Sequence, residues 1–503
     1  MKRRDFFKMI AAVAASPTFA TGLESQKDEA FSEEMLHRLA QDVADMPYRD
    51  RPMVPKAMQD WSYEQYKSIW FNTSKGIWTG TESPLQVDLF HPGLFYPHPV
   101  EINLVENGRS RTLPFDWGLF DKTDKAPTLP TQGNLGFSGL RLRSELEKPE
   151  IFQEYAVFQG ASYFRVIAKD LVYGLSARGL AVNTADQDGE EFPDFTRFWI
   201  ERPKAGAHAH VIHALMESPS VTGLYHFTLY PGPTTEVDVR VSLFPRDDLK
   251  NVGLGPLTSM FYFDETNRGR FDDFRPAVHD SDGLSILNGR GEMIWRPLAN
   301  PKQIQISSFV DENPQGFGLA QRERRFSDFA DLEALYHKRP SLWISPGEDW
   351  GKGAITLVEI PTNKEIYDNI VAYWRPREPL AAGQEHNFSY RMTWCAQIPE
   401  KKPVAPVLNS RIGKGFTDNE NKVVTIDFAP HSALPEVFDD ITIHVSSNRL
   451  KVSDGVLQRN PETGGPRLAF SFDPGDVKSA ELRAQLMFQG RSVSEVWLYR
   501  WTT

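Results

Sequence analysis

Two short stretches carry acids that turn chemistry alone does not explain. The first is His279-Asp280-Ser281-Asp282-Gly283, followed after a few residues by Glu292, Trp295 and Arg296. The second is Thr362-Asn-Lys-Glu365-Ile-Tyr367-Asp368-Asn369, running into Tyr373 and Trp374. Asp282-Gly283 is a hairpin signal, and a turn accounts for Asp282 better than for Asp280. Thr362 and Glu365 have capping-box spacing, which gives Glu365 a structural role at a short helical turn and leaves Asp368 without one. Two acids on separate segments, flanked by aromatics and guanidinium groups, suit glycoside hydrolysis. One carboxyl group protonates the leaving oxygen, and the other activates water or attacks the sugar. Flat rings stack on sugar C–H faces, and Arg side chains bind hydroxyls. An ordinary acidic, aromatic β-protein carries similar residues, so spacing alone leaves both readings open.

Other chemistries find less support. There is no phosphate-binding Gly-rich loop, no zinc helix of His-Glu-x-x-His type and no dinucleotide fingerprint. Gly174-Leu-Ser176-Ala-Arg-Gly179 lacks nucleophile-elbow spacing. His208, His210 and His213 form the one dense histidine group, but strand geometry turns His213 away from the other two. Asp186-x-Asp188-Gly-Glu190 reads as a solvated turn rather than a calcium loop. The expectation is no metal and no cofactor.

The elements that must position these acids are strands. Of 503 residues, 40% are hydrophobic and 12% aromatic, with 35 Gly and 36 Pro. Val237, Val239, Val241 and Leu243 alternate with Asp238, Arg240 and Ser242, the period of a half-buried strand. Short apolar runs broken by turn residues continue from about residue 85, which predicts an all-β sandwich or barrel. Helices are expected near 31–45, 62–69 and 327–337, the last with Ser327 as N-cap. A Pro-rich stretch at 396–406 reads as a linker between residues 21–395 and a C-terminal unit, 407–503, with immunoglobulin-like texture. A net charge of −11 argues against a nucleic-acid partner, and the lone Cys395 excludes an intrachain disulfide.

Residues 1–20 read as an address rather than as fold. Arg3-Arg4-Asp-Phe-Phe-Lys8 and a short Ala-rich run match a twin-arginine export signal, too short to span a membrane. Removal of that segment and a periplasmic location, with no membrane anchor, are expected.

Several longer blocks carry a resemblance. They are Phe90-His-Pro-Gly93, Gly160-Ala-Ser-Tyr-Phe164, Tyr173-Gly-Leu-Ser-Ala-Arg-Gly179 and Gly189-Glu-Glu-Phe-Pro193. Further blocks are His279-Asp-Ser-Asp-Gly-Leu284, Gly291-Glu-Met-Ile-Trp-Arg-Pro-Leu298, Asp368-Asn-Ile-Val-Ala-Tyr-Trp374 and Asn460-Pro-Glu-Thr-Gly-Gly465. Across nearly the whole mature chain these resemble the periplasmic glucans biosynthesis proteins of G and D type, and the twin-arginine start looks like the D type. Pro466 departs from the family's usual Trp. The resemblance implies a large N-terminal β-sandwich of galactose-mutarotase type and a small immunoglobulin-like C-terminal sandwich. It implies a part in making osmoregulated periplasmic glucans with a β-1,2-linked glucose backbone, and for D-type members inverting hydrolysis of that backbone. Carried onto matching positions, Asp368 is the expected general acid, Asp280 the base (with Asp282 as the alternative) and Glu365 a supporting acid. Arg178, Trp295, Arg296, Tyr367 and Trp374 are the expected sugar-binding groups. The expected partner is β-1,2-glucan, and a homodimer is left open. A non-catalytic glucan-binding factor and a transglycosylase remain competing readings.

Overall fold

The computed structural model describes residues 28–130, 133–399, 403–415 and 421–503. The export signal at 1–20 and part of the 396–406 segment lie outside them. The protein is built from two large, mainly antiparallel sheets with a core between them. The larger sheet passes from Glu29–Ala30 through Arg109–Thr112, Glu101–Glu106, Asp194–Glu201, His210–Glu217, Val221–Tyr230 and Thr235–Pro245. It continues through His386–Cys395, Ser341–Pro346, Gly316–Ala320, Gly283–Leu287 and Met293–Pro297. The facing sheet runs Gln305–Glu312, Lys352–Glu359, Ile370–Pro376, Val252–Ser259, Ser176–Arg178, Tyr163–Val166, Gln153–Gln159, Gly139–Ser144 and Gln86–Phe90.

Strand period decides what each sheet buries. In Thr235–Pro245, Val237, Val239, Val241 and Leu243 enter the core between the sheets, while Glu236 and Asp238 stay outside and pair with Arg391 of the neighbouring strand. In Ile370–Pro376 the in-phase residues Ile370, Ala372 and Trp374 join that core.

The C-terminal residues form a second, smaller sandwich. Val407–Lys414, Lys422–Phe428, Pro466–Phe472 and Val456–Arg459 make one sheet. Val496–Thr502, Ser479–Phe488 and Thr442–Ser447 make the other, and a parallel pairing of Val496–Thr502 with Met293–Pro297 fuses it to the larger sheet. Trp295 and Trp497 meet in the core beneath this junction.

Helices are few and short. Ser32 caps Glu33–Asp45, accepting a hydrogen bond from the Met35 N–H at 3.1 Å, and Leu36, Ala40 and Val43 pack on the outer face of the larger sheet. Ser62 and Gln65 form a capping box at Tyr63–Lys67. The helix expected over 327–337 is instead a single turn, Phe326–Phe329, and a 3-10 turn, Tyr336–Lys338. Ala330 and Leu335 adopt left-handed backbone angles, and Asp331 accepts from the N–H groups of Glu333 and Ala334, so a tight turn replaces the middle of the helix.

Candidate functional site

One backbone segment brings the two predicted acids together. The strand Val252–Ser259 continues into Met260 and Phe261. The Asp280 N–H donates to the Met260 carbonyl at 2.8 Å, and the Asn369 N–H donates to the Ser259 carbonyl at 3.0 Å. The Asn369 side chain then accepts from Phe261 N–H at 2.8 Å and donates to the Phe261 carbonyl at 2.9 Å. Asp280 and Asp368, 88 positions apart in the chain, are therefore held on either side of the same three residues.

Their surroundings differ in access. Asp280 is buried, and Arg339 donates to its Oδ1 while stacking over the Tyr336 ring at 4.5 Å. Asp368 keeps 33% of its side chain open, with Arg165 Nη2 3.7 Å from Oδ2. Burial pushes the Asp280 carboxyl up to about 6. Arg339 opposes the rise, and the charge of Asp368 adds to it. Asp368 is also raised, by desolvation, against the opposing charges of Arg165, Arg178 and Arg339. The charge of Asp368 acts on Asp280, and Arg165 and Arg339 act on both carboxyl groups.

Around Asp368 stand rings and guanidinium groups. Tyr367 is exposed beside it. Arg178 is buried, ion-paired to Glu190, and lies over Tyr163 at 4.9 Å and Phe192 at 5.5 Å. Glu365 faces Arg275 at 2.7 Å, and Arg275 also grips Asp273 and Asp331, so Glu365 fastens the loop that carries Asp368. The helical turn expected from Thr362 and Glu365 does not form. Thr362 Oγ1 instead closes a local turn with Lys364, and Arg275 takes the Glu365 carboxylate.

Four of the five expected sugar-binding groups are buried: Arg178, whose charge still reaches Asp368, and three packed inside the protein. Trp374 is fully buried in the central core. Trp295 is 3% exposed, with Arg322 over its ring at 3.5 Å. It lies so close over Gly283 that a Cβ there would fall 2.1 Å from its ring, which is why glycine follows Asp282. Arg296 is buried against Glu359 at 3.1 Å and Tyr499. Trp295 and Arg296 face opposite sides of their strand, one toward the C-terminal core and the other toward Glu359, and both sides are covered.

Asp282 is likewise not in a solvated hairpin. It is buried, its backbone N–H donates to Ala320, and its Oδ2 accepts from the Arg322 N–H at 3.0 Å. It lines a cavity of about 20 Å³ with Asp264, Glu265, His279, Glu323 and Asn409, at the junction with the C-terminal sandwich. The base left open between Asp280 and Asp282 thus has one candidate beside Asp368 and one at the junction with the C-terminal sandwich.

Sequence reasoning did not single out Arg165, Arg339 or Tyr163, and it read Glu190 as part of a solvated turn, whereas Glu190 pairs with Arg178. Two blocks noted for their resemblance hold Tyr163 and Glu190, a signal that could have drawn them in. Arg165 and Arg339 left no such signal. A hollow of about 860 Å³ lined by Arg290, Asp311, Lys352 and Arg375 holds none of the predicted site residues.

The fold is that of an all-β protein, and the site sets a half-open acid, Asp368, and a buried one, Asp280, among arginines. The chain belongs to the family described as "Periplasmic glucan biosynthesis protein, MdoG", which it matches over residues 31–501. It is 47% identical over 482 residues to glucans biosynthesis protein G of Vibrio cholerae serotype O1, covering 95% of this chain and 88% of that protein. It is 43% identical over 505 residues to glucans biosynthesis protein G of Rhodopseudomonas palustris, covering 100% of both. Among solved structures, a galactose mutarotase related enzyme from Lactobacillus acidophilus aligns with TM-score 0.21 and 10% identity, over 49% of this chain and 99% of that one. A likeness of that size carries no argument, so the mutarotase type of the sandwich rests on the sequence resemblance. Among the described residues, no helix is long and apolar enough to cross a membrane.

Proposed function

We propose that this member of the periplasmic glucan biosynthesis family cleaves the β-1,2-linked glucan backbone internally, with inversion. The observation that carries the reading is the convergence of Asp280 and Asp368 on Ser259–Phe261, both with raised pKa. Asp368, the more open acid, gives its proton to the leaving glycosidic oxygen. A water attacks the anomeric carbon from the opposite face, and its proton passes to Asp280. Asp280 is buried against Arg339, so that proton arrives through a water or a substrate hydroxyl rather than by direct contact. Arg339 keeps Asp280 ionised and ready to accept. Tyr367 and Phe192 offer exposed ring faces to sugar units.

The proposal includes periplasmic location by twin-arginine export and a division into 21–395 and 407–503. Changing Arg3 and Arg4 to Lys should hold the precursor in the cytoplasm. Limited proteolysis should nick first within 396–406; first cuts inside 160–390 would defeat that boundary.

A non-catalytic glucan-binding factor is the second reading. Arg165, Arg178 and Arg339 all oppose protonation of Asp368, as suits a carboxylate that only accepts hydrogen bonds from hydroxyls. Incubating the mature protein with linear β-1,2-glucan and counting reducing ends decides between them. New reducing ends that vanish with Asp368→Asn support the hydrolase. Binding without new ends supports the factor, and altered chain lengths without new ends indicate transglycosylation.

A further inference from the structure

On the outer face of the larger sheet, the strands Asp194–Glu201, His210–Glu217, Val221–Tyr230 and Thr235–Pro245 place Trp199, His213, His226 and Arg240 in one cross-strand row. His213 and His226 are register partners, with Nδ1 atoms 2.6 Å apart. His213 Nε2 lies 2.8 Å from Glu201 Oε1. A carboxylate only accepts, so Nε2 carries the proton and the Nδ1 lone pair of neutral His213 points at His226. The helix Glu33–Asp45 lies over this row, and its first residue brings a third donor. One ligand atom each from Glu33, His213 and His226 lies within 4.8 Å of the others. Arg240 donates to both Glu33 oxygens, at 3.0 and 3.1 Å, and holds that carboxylate above the two rings.

We propose that Glu33, His213 and His226 form a zinc site that clasps the N-terminal helix to the sheet. The donor set is two imidazole nitrogens and one carboxylate, which zinc accepts with a water in the fourth position. Glu201 supplies the carboxylate behind a ligating histidine that fixes its tautomer and strengthens it as a donor. Zinc–nitrogen bonds of ~2.0–2.1 Å in tetrahedral geometry set the two nitrogens ~3.3 Å apart, so the His226 ring must swing by roughly 0.7 Å. His226 is only half-buried. Glu33 retains lone pairs beyond those engaged by Arg240. The paired acids at Ser259–Phe261 take no part. The alternative is a closed hydrogen-bond relay, Glu201 to His213 to His226, with no ion.

The test uses tag-free mature protein, stripped with chelator and titrated with zinc chloride, followed by calorimetry and by metal analysis after dialysis. One equivalent per chain is expected. His226→Ala should abolish that equivalent, and Glu201→Gln should weaken it by about 10–100-fold. His213 is fully buried and its loss threatens the fold, so Glu33→Gln, at an exposed position, provides the second ligand variant and should also lose tight binding. Zinc should slow proteolysis at the N-terminal helix in the parent and not in Glu33→Gln. Less than a tenth of an equivalent retained by the parent, or equal uptake by parent, His226→Ala and Glu33→Gln, would overturn the site.

Discussion

Asp280 and Asp282 are two residues apart, yet they serve two different acid clusters. Asp280 joins Asp368 beside Arg339, Arg165 and Arg178, at a surface where one carboxyl group remains open. Asp282 joins Asp264, Glu265 and Glu323 around a small cavity closed by the C-terminal sandwich. Burial raises both carboxyl groups to about 6. A raised pKa therefore marks burial in both places and does not by itself mark chemistry. The difference lies in what surrounds the acid: a half-open carboxylate among arginines at one cluster, other acids and a junction between sheets at the other.

The sharpest break between the clusters is turnover. Asp368→Asn removes the transferable proton and keeps the shape, and should lower kcat on β-1,2-glucan by about 10³-fold, within the range general acids contribute. Asp280→Asn should cost a comparable factor, with circular dichroism unchanged. Asp282→Asn should leave kcat within a few-fold. If Asp282→Asn abolished turnover while Asp280→Asn spared it, the assignment of the base would reverse.

Stability should separate them in the other direction. Asp282, Asp264 and Glu323 have folded pKa values raised to about 6, 7 and 9, chiefly by burial. Between the ordinary range near 4 and these values the folded protein holds more protons than the unfolded chain. Their contribution to stability therefore falls as pH rises through that window. For Asp282 the loss is on the order of 3 kcal/mol. Denaturant titrations of parent and Asp282→Asn should agree most closely below about pH 4, with the variant gaining relative stability up to about pH 6 and holding that gain toward pH 8. A gap that shrinks between about pH 4 and pH 6 would contradict the buried cluster.

Sequence carried the acids further than their neighbours. Asp280 and Asp368 stood out because neither a turn nor a cap needs them, and the blocks of resemblance named the same positions. Trp295 and Arg296 are adjacent in sequence, and adjacent residues on a strand point to opposite faces. Trp374 is in phase with Ile370 and Ala372, so the parity that buries those residues buries it too. Trp295 and Arg296 lie beneath the fusion of Met293–Pro297 with Val496–Thr502, a pairing across about 200 residues that no local pattern announces. Arg165 and Arg339 were silent for the same reason: their partners Asp368 and Asp280 are distant in the chain and reached only through the sheet. His213 was noted only with His208 and His210, whereas its hydrogen-bond partners are His226 and Glu201.

The smallest effect concerns the electrostatic coupling of Asp368 to Arg165. Arg165 is about half exposed and its contact with Asp368 is 3.7 Å, so solvent screens much of the interaction. It nevertheless opposes the rise in pKa at both Asp368 and Asp280. Arg165→Met removes that opposition, and both carboxyl groups should titrate at higher pH. In an inverting hydrolase the base sets the acidic limb of the kcat/KM profile and the acid sets the alkaline limb. Both limbs should therefore move upward together, by about half a unit for a screened contact of this kind. High salt should shrink the difference between parent and variant, because it weakens the interaction that the mutation deletes. Arg322 supplies the matched control, since it opposes the rise at Asp282. Arg322→Met should change stability at the junction and leave both limbs in place. A profile that moves with Arg322 and not with Arg165 would transfer the chemistry from the Asp368 cluster to the Asp282 cluster.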